Sequence, residues 1–313
     1  MPGTRAGERG RIDDHHRLGN PAWNTCTPHP LAGFDAGGPV LRRHQRPTRG
    51  GTAPMTTKST STSAPSRWRR IGLQAGYDTR LTMANGEQVL LTLFIPIGVL
   101  LGLTYVPGLA IRPSGVPESV SAVDLAVPGA LAVAVLSSAF ASLAIATGFD
   151  RRSRSLMLLA TTPLSRVELV WARAISTVVI VLGQIVVIAA IAVILGWRPE
   201  QRSILLIVFA VIGALSLASC AVMIAGLLRA EATLALANGI FLVLLVAGGT
   251  AIPASSLPGW WSVMAQALPS GALAQALRWG ALDLAGFPVL PLVVLVLWGA
   301  VASVIARLTF RWD

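Results

Sequence analysis

Lysine is nearly absent from this chain: Lys58 is the only one among 313 residues. A phosphate-binding P-loop needs a lysine directly after its glycine-rich turn, whereas Lys58 lies in a string of threonine and serine. The sequence therefore excludes a P-loop ATPase site on this chain. Cysteine is scarce too, and because Cys26 lies in a polar segment and Cys220 in an apolar one, neither a disulfide framework nor a metal site is predicted.

Charged residues make up only 12% of the sequence, about half of the share that soluble domains usually carry. Hydrophobic residues make up 53% and the mean hydropathy is +0.66, which together indicate an integral membrane protein. Beyond the first 54 residues the positive charge, part of a net +11, lies mostly at the ends of apolar runs. This pattern is typical of contact with a lipid bilayer, and it lacks the contiguous basic face that nucleic-acid binding requires.

Ionisable side chains are missing from the interior of every long apolar run. Six runs have roughly the 20 residues that a helix needs to cross a bilayer. They are Gln88–Ile111, Leu125–Phe149, Ala174–Trp197, Ser203–Leu228, Ala232–Ala251 and Leu284–Ala306. Ion-coupled carriers and intramembrane hydrolases usually have ionisable side chains within their membrane-spanning helices, so the sequence disfavours both classes of protein. A transporter of this composition must take its energy from elsewhere.

Glycine and proline interrupt the chain after the fifth run. Gly248-Gly249 and Pro253 predict that the fifth helix ends near Ala251. Residues 253–283 are then predicted to form an irregular or re-entrant hairpin, with Pro258 and Pro269 as stops. The predicted fold class is an all-α integral membrane protein with six transmembrane helices and this hairpin on the outer side, between spans 5 and 6.

The chain before the first run divides into two parts. Residues 1–66 are predicted to be a disordered N-terminal extension, and Met55 is either the native start or a position within a disordered cytosolic tail. Residues 67–87 predict an interfacial helix before the six-span domain of residues 88–313. On this helix Trp68, Leu73, Tyr77 and Leu81 recur on one face, and Arg67, Arg70, Gln74 and Asp78 on another.

Arginine is distributed unequally between the two ends of the runs. One side carries eleven: Arg69, Arg70, Arg80, Arg151, Arg152, Arg154, Arg166, Arg173, Arg229, Arg307 and Arg311. The other side carries four: Arg112, Arg198, Arg202 and Arg278. Because positive residues stay on the cytosolic side, both termini are predicted to be cytoplasmic in a multi-pass protein of the plasma membrane.

A charged island, Asp150–Arg173, separates the second and third runs. Ser165 and Glu168 have the spacing of a capping box, and Leu164 can pack on Leu169, so a helix is predicted to begin near Arg166. Upstream, leucines at positions 156 and 159 fall on one side of a short amphipathic helix that the proline at position 163 must end. The island is thus predicted to be a short helix joined to a spanning one.

Three groups of residues in this chain are similar to motifs of a known family. The first group, in the loop between the second and third runs, is Phe149-Asp150-Arg151-Arg152, then Leu156 and Leu159, then Thr162-Pro163-Leu164-Ser165-Arg166. The second group, at the entry to the first run, is Asn85-Gly86-Glu87-Gln88 followed by Ile95-Pro96. The third group, in the predicted hairpin, is Leu257-Pro258 and Leu268-Pro269. Together they resemble the permease subunit of ABC-2-type exporters over about Arg67 to Arg311. One departure is Arg154, where the family often has glycine.

The resemblance implies a mechanism and a set of partners. In the family this loop contains a coupling helix that docks on a separately encoded ABC ATPase, and a second permease copy or a related permease completes the path. Docking is accordingly assigned to Arg151, Arg152, Leu156, Leu159, Thr162 and Pro163. The chain itself is then no enzyme and holds no cofactor, since ATP and Mg²⁺ belong to the partner. An ordinary loop whose arginines only fix topology is the alternative.

Two amides lie within the apolar runs, Gln184 and Asn238. Such groups commonly join helices by hydrogen bonds, and the competing hypothesis is that they line a substrate path. The leading functional prediction is ATP-driven export of a hydrophobic or amphipathic compound such as a drug, polyketide or lipid. A membrane scaffold or signalling subunit that recruits a cytosolic partner without translocation is the alternative.

Overall fold

The computed structural model describes residues 66–113, 116–152, 165–250, 253, 256, 258–282 and 284–309. These residues all belong to one compact unit, Thr62–Asp313. Residues 1–65 of the predicted extension lie outside the described part.

Among the described residues, six helices are long and apolar enough to cross a membrane. They are the first span Gly86–Tyr105, the second Ala122–Asp150, the third Val167–Ile194, the fourth Gln201–Leu227, the fifth Ala230–Ala247 and the sixth Val289–Leu308. The order and number of the predicted runs are confirmed, and the described chain is an all-α membrane protein. These apolar segments are helical because a helix pairs its backbone amide and carbonyl groups internally, and the bilayer core offers no water to pair with them.

The second span lies at the centre of the unit. It begins with a capping box between Ser121 and Asp124, and it continues through a π-helical segment, Leu136–Ser142, to Arg152. In the apolar 18-residue window of this span 78% of the residues are buried, against 18% in that of the first span and 17% in that of the sixth. The second span is therefore surrounded by its own chain, whereas the first and sixth spans lie at the periphery.

The fifth span ends earlier than predicted, at Ala247 instead of near Ala251. Gly248 forms the C-terminal cap, and Gly249 follows with φ 66°, in the left-handed region that glycine adopts without steric cost. The glycine pair, and not Pro253, therefore terminates the helix.

The segment between the fifth and sixth spans is a helical hairpin. Its first helix is Gly259–Ala267 and its second helix is Pro269–Ala281. The prediction that Pro258 stops a helix is wrong, because Pro258 caps the start of the first hairpin helix. Pro269 follows the end of that helix and opens the next one at a position where no amide hydrogen is needed.

The second hairpin helix is buried among the spans. It packs against the second, fourth and sixth spans, and Leu273 and Leu277 have no exposed surface. Gly271 meets the carbonyl oxygens of Ala265 and Gly248 so closely that a Cβ atom has no room there. This close approach fixes the hairpin against the end of the fifth span.

A separate N-terminal helix, Arg67–Ala84, precedes the first span and ends three residues before the predicted boundary. Ile71 and Ala75 are buried against Ala172 of the third span. The predicted apolar stripe is exposed, with Trp68 and Tyr77 at 74% and 62% exposure. The helix thus packs on the third span with the side that carries Ile71 and Ala75, and it leaves its aromatic side uncovered by the described chain.

Candidate functional site

The predicted docking residues are only partly within the described chain. The second span runs as a helix to Arg152, and the third span begins at Arg166. The Arg152 side chain is exposed and pairs with Glu231 at the start of the fifth span, at 2.5 Å. Arg151 lies in the same last helical turn, whereas Leu156, Leu159, Thr162 and Pro163 lie in segment 153–164, outside the described residues. Docking at these positions stays a prediction.

The N-terminus of the third span carries the predicted capping box. The Ser165 amide donates to Glu168 Oε2 at 2.9 Å, and the Glu168 amide donates to Ser165 Oγ at 3.2 Å. Glu168 is 3% exposed, so its carboxylate is held away from water. The third helix therefore starts at a fixed residue directly after the predicted coupling segment.

The same carboxylate joins the third span to the N-terminal helix. Arg70 Nη2 donates to Glu168 Oε1 at 2.7 Å, and Arg67 Nε lies 3.6 Å from that oxygen. Further along, Thr79 Oγ1 donates to Ser176 Oγ at 2.9 Å. Hydrogen bonds at two levels and the buried Ile71 between them join the N-terminal helix to the third span.

Replacing Glu168 with alanine is expected to loosen both elements at once. The substitution removes half of the capping box and the ion-pair partner of Arg70. Amide hydrogen exchange of the peptides spanning residues 67–84 and 165–172 should accelerate by about tenfold or more.

Glu231→Ala is the matched control, because it removes an exposed carboxylate from an exposed ion pair that contributes little. If exchange in residues 67–84 does not respond to Glu168→Ala, the N-terminal helix is held by its apolar contacts alone.

A cavity of about 630 Å³ with both polar and apolar walls opens near the same end of the bundle. It lies between the N-terminal helix and the first, second, third and fifth spans. Its polar wall consists of Asp78, Thr82, Asn85, Glu87, Gln88, Thr92, Ser137, Ser138, Ser142, Asp150, Arg173, Ser176, Thr177 and Asn238. The volume is typical of small-molecule sites, and the apolar part of the lining includes Leu81, Ile95, Phe149 and Phe241.

The two predicted amides occupy different places relative to this cavity. Asn238 lines it, whereas Gln184 is 6% exposed and lies behind Ser138. Ser138 Oγ donates to Gln184 Oε1 at 2.9 Å, and Gln184 Nε2 donates to the Thr92 carbonyl at 3.3 Å. Gln184 thus joins the first, second and third spans by hydrogen bonds, and only Asn238 is open to a ligand in the cavity.

The π-helical segment supplies three of the four serines of this wall. Its wider turn is unusual inside a helix, and such segments are frequent at functional sites. Ser137 and Ser138 lie within it, and Ser142 at its end accepts a hydrogen bond from Gln88 of the first span at 2.5 Å. The segment thereby ties the second span to the first beside the cavity.

A charged group that sequence reasoning missed lies at the cavity edge. Arg173 Nη1 donates to Thr147 Oγ1 at 2.7 Å, and Nη2 donates to Asp150 Oδ2 at 2.5 Å. Arg173 is 9% exposed and lines the cavity together with Asp78. The sequence predicts both Arg173 and Asp78 at the membrane surface. They lie in different helices, and only the packing of these helices brings them to one cavity.

Family comparison agrees with this architecture. Residues 78–282, more than half of the chain, match a family model described as ABC-2 type transporter. No curated protein matches the sequence. The matched region contains all residues that line the cavity, the first five spans and the hairpin. The chain belongs to the ABC-2 type transporter family, as a multi-pass membrane permease of an ABC transport system.

Proposed function

We propose that this chain is the permease subunit of an exporter that moves a hydrophobic or amphipathic compound out of the cell. A separate ABC ATPase, which holds ATP and Mg²⁺, supplies the energy. The ATPase docks on the segment between the second and third spans, through Arg151, Arg152, Leu156, Leu159, Thr162 and Pro163. The docking segment and both termini are cytoplasmic, the membrane is the plasma membrane, and a second permease copy or a related permease completes the path.

One observation supports this proposal: a helix adjoins the proposed docking segment at each end, and neither helix is interrupted there in the described residues. The second span continues to Arg152, and the third span begins at Arg166 under its capping box. A displacement of the segment is therefore passed directly to two spans, and through Glu168 to the N-terminal helix.

The cavity supports the same direction of transport. It lies at the end of the bundle that carries Asp150, the end at which the ATPase would bind, and it combines polar groups with aromatic and aliphatic ones. A compound with a polar group and an apolar body would find partners for both there. Asn238 is the proposed substrate-contacting amide, and Gln184 supports the wall behind it.

The decisive experiment is co-expression with a candidate ABC ATPase from the same genome, followed by reconstitution of the purified complex in liposomes. Export predicts that a fluorescent amphipath accumulates on the side opposite to the ATPase when ATP is added. An ATPase variant without its catalytic glutamate is the control. Stable complex formation without any ATP-dependent movement of compounds would instead support the scaffold alternative.

A further inference from the structure

The cavity contains a carboxylate oxygen whose hydrogen-bonding capacity is unused. Asp78 Oδ1 accepts a hydrogen bond from Gln74 Nε2 at 2.8 Å. Asp78 Oδ2 is buried, and within the described part of the chain it has no hydrogen-bond partner. Buried carboxylate oxygens are nearly always paired, because water has been removed and nothing replaces it. An unpaired one beside an open cavity indicates a missing donor.

The neighbouring arginine does not supply that donor. Arg173, which is nine-tenths buried, directs two of its nitrogens to Thr147 and Asp150. Its Nε is also buried without a partner among the described residues. Two residues that line the same cavity, Asp78 and Arg173, therefore each contain a buried polar atom without a partner in the described chain.

The charges around the cavity are unequal. Of the charged side chains in its described lining, Asp78, Glu87 and Asp150 are acidic, and Arg173 is the one base. Burial raises the pKa of the Asp78 carboxyl, although the nearby Arg173 guanidinium acts in the opposite direction. The ionised form of Asp78 is thus insufficiently compensated by the protein, and a cation entering the cavity would compensate it.

We propose that Asp78 is a recognition residue for a protonated amine, so that the transported compounds are cationic amphipaths with an amino group. The ammonium pairs with the Asp78 carboxylate, and Asn238 lies on the same polar side of the cavity. The apolar body lies against Leu81, Ile95 and Phe241. This inference rests on the proposed function and specifies its substrate class.

The test uses two probes that differ by one charge, dansylcadaverine and its N-acetyl derivative. The purified permease in nanodiscs, without ATP, is titrated with each probe, and binding is measured from dansyl fluorescence. The unmodified chain should bind the amine about tenfold more tightly than the neutral derivative. In Asp78→Asn this preference should vanish while the affinity for the acetylated probe is unchanged.

Glu118→Gln is the matched control, because it also removes one negative charge but at an exposed position away from the cavity. It should keep the tenfold preference. Asp78→Asn retains the shape of the side chain and removes a poorly compensated charge, so its thermal unfolding temperature at neutral pH should not fall below that of the unmodified chain. This measurement separates loss of recognition from loss of folding.

Equal binding of the two probes to the unmodified chain would overturn the assignment, and so would a preference that persists in Asp78→Asn. Either result leaves the proposed export function intact if the ATPase complex still moves other amphipaths. Conversely, a complex that transports nothing, while Asp78 still selects the amine, would reject the export function and keep the site.

Discussion

Replacing Arg151 and Arg152 together with glutamate is expected to abolish co-purification of the ABC ATPase. Both residues lie in the last helical turn of the second span, directly before the proposed docking segment. Reversing two charges at a docking surface changes attraction into repulsion, which costs several kcal/mol and prevents encounter. Pull-down of the co-expressed ATPase through a tag on the permease is the measurement, and recovery should fall by at least an order of magnitude.

Two controls isolate docking from other effects of these charges. Arg69→Glu with Arg80→Glu makes the same change in net charge at exposed positions of the N-terminal helix, and it should leave the complex intact. Arg152→Glu combined with Glu231→Arg restores the exposed ion pair, so continued loss of the ATPase there would exclude that pair as the cause. Labelling of single cysteines should verify that the topology is unchanged. Normal recovery of the ATPase with the Arg151 and Arg152 double variant would place docking elsewhere.

Replacing Arg278 with alanine is expected to have the largest effect on stability. Arg278 is 6% exposed, and its Nη2 donates to the carbonyl oxygens of Gly249 and Thr250 at 2.8 and 2.7 Å. These carbonyls follow the end of the fifth span, where backbone oxygens have no partner within the helix. Without the guanidinium they are left buried and unsatisfied, which costs about 3 kcal/mol.

Thermal unfolding in detergent, followed by the fraction that remains monodisperse, measures this cost. Arg198→Ala removes an exposed arginine from the same end of the bundle and should change stability by less than about 0.5 kcal/mol. Arg278→Lys should be intermediate, because a lysine keeps the charge and a donor nitrogen, but its side chain is one bond shorter than the path to Nη2, which bonds both oxygens. An unfolding temperature of Arg278→Ala equal to that of the unmodified chain would mean that the carbonyls find other donors.

Local signals predicted the parts of this structure that depend on neighbours in sequence. The start of the third span follows from Ser165 and Glu168, because a capping box is formed by residues three apart. The six spans follow from uninterrupted apolar length. Prolines are a less specific signal, because a proline can follow the end of one helix and also open the next, as Pro269 does.

Contacts between distant segments were beyond the reach of such signals. Asp78 and Arg173 are 95 positions apart, and nothing local to either residue predicts that they share a cavity. Counting arginines assigned Arg278 to the outer surface, although it is buried against carbonyl groups. The sequence does contain one signal for this contact. Arg278 is the only charged residue from Ala232 to Leu282, and an isolated charge in such a long apolar stretch predicts a buried side chain with a polar partner.

The enclosure of the second span limits how two permeases can assemble. With 78% of the residues in its apolar 18-residue window buried by its own chain, this helix offers little surface for a seam with another copy. A paired permease must therefore join through the less covered helices at the edge of the bundle, such as the first or the sixth. Rotation of the second span during a transport cycle would then reshape the cavity of its own subunit directly, and the neighbouring subunit only through those peripheral helices.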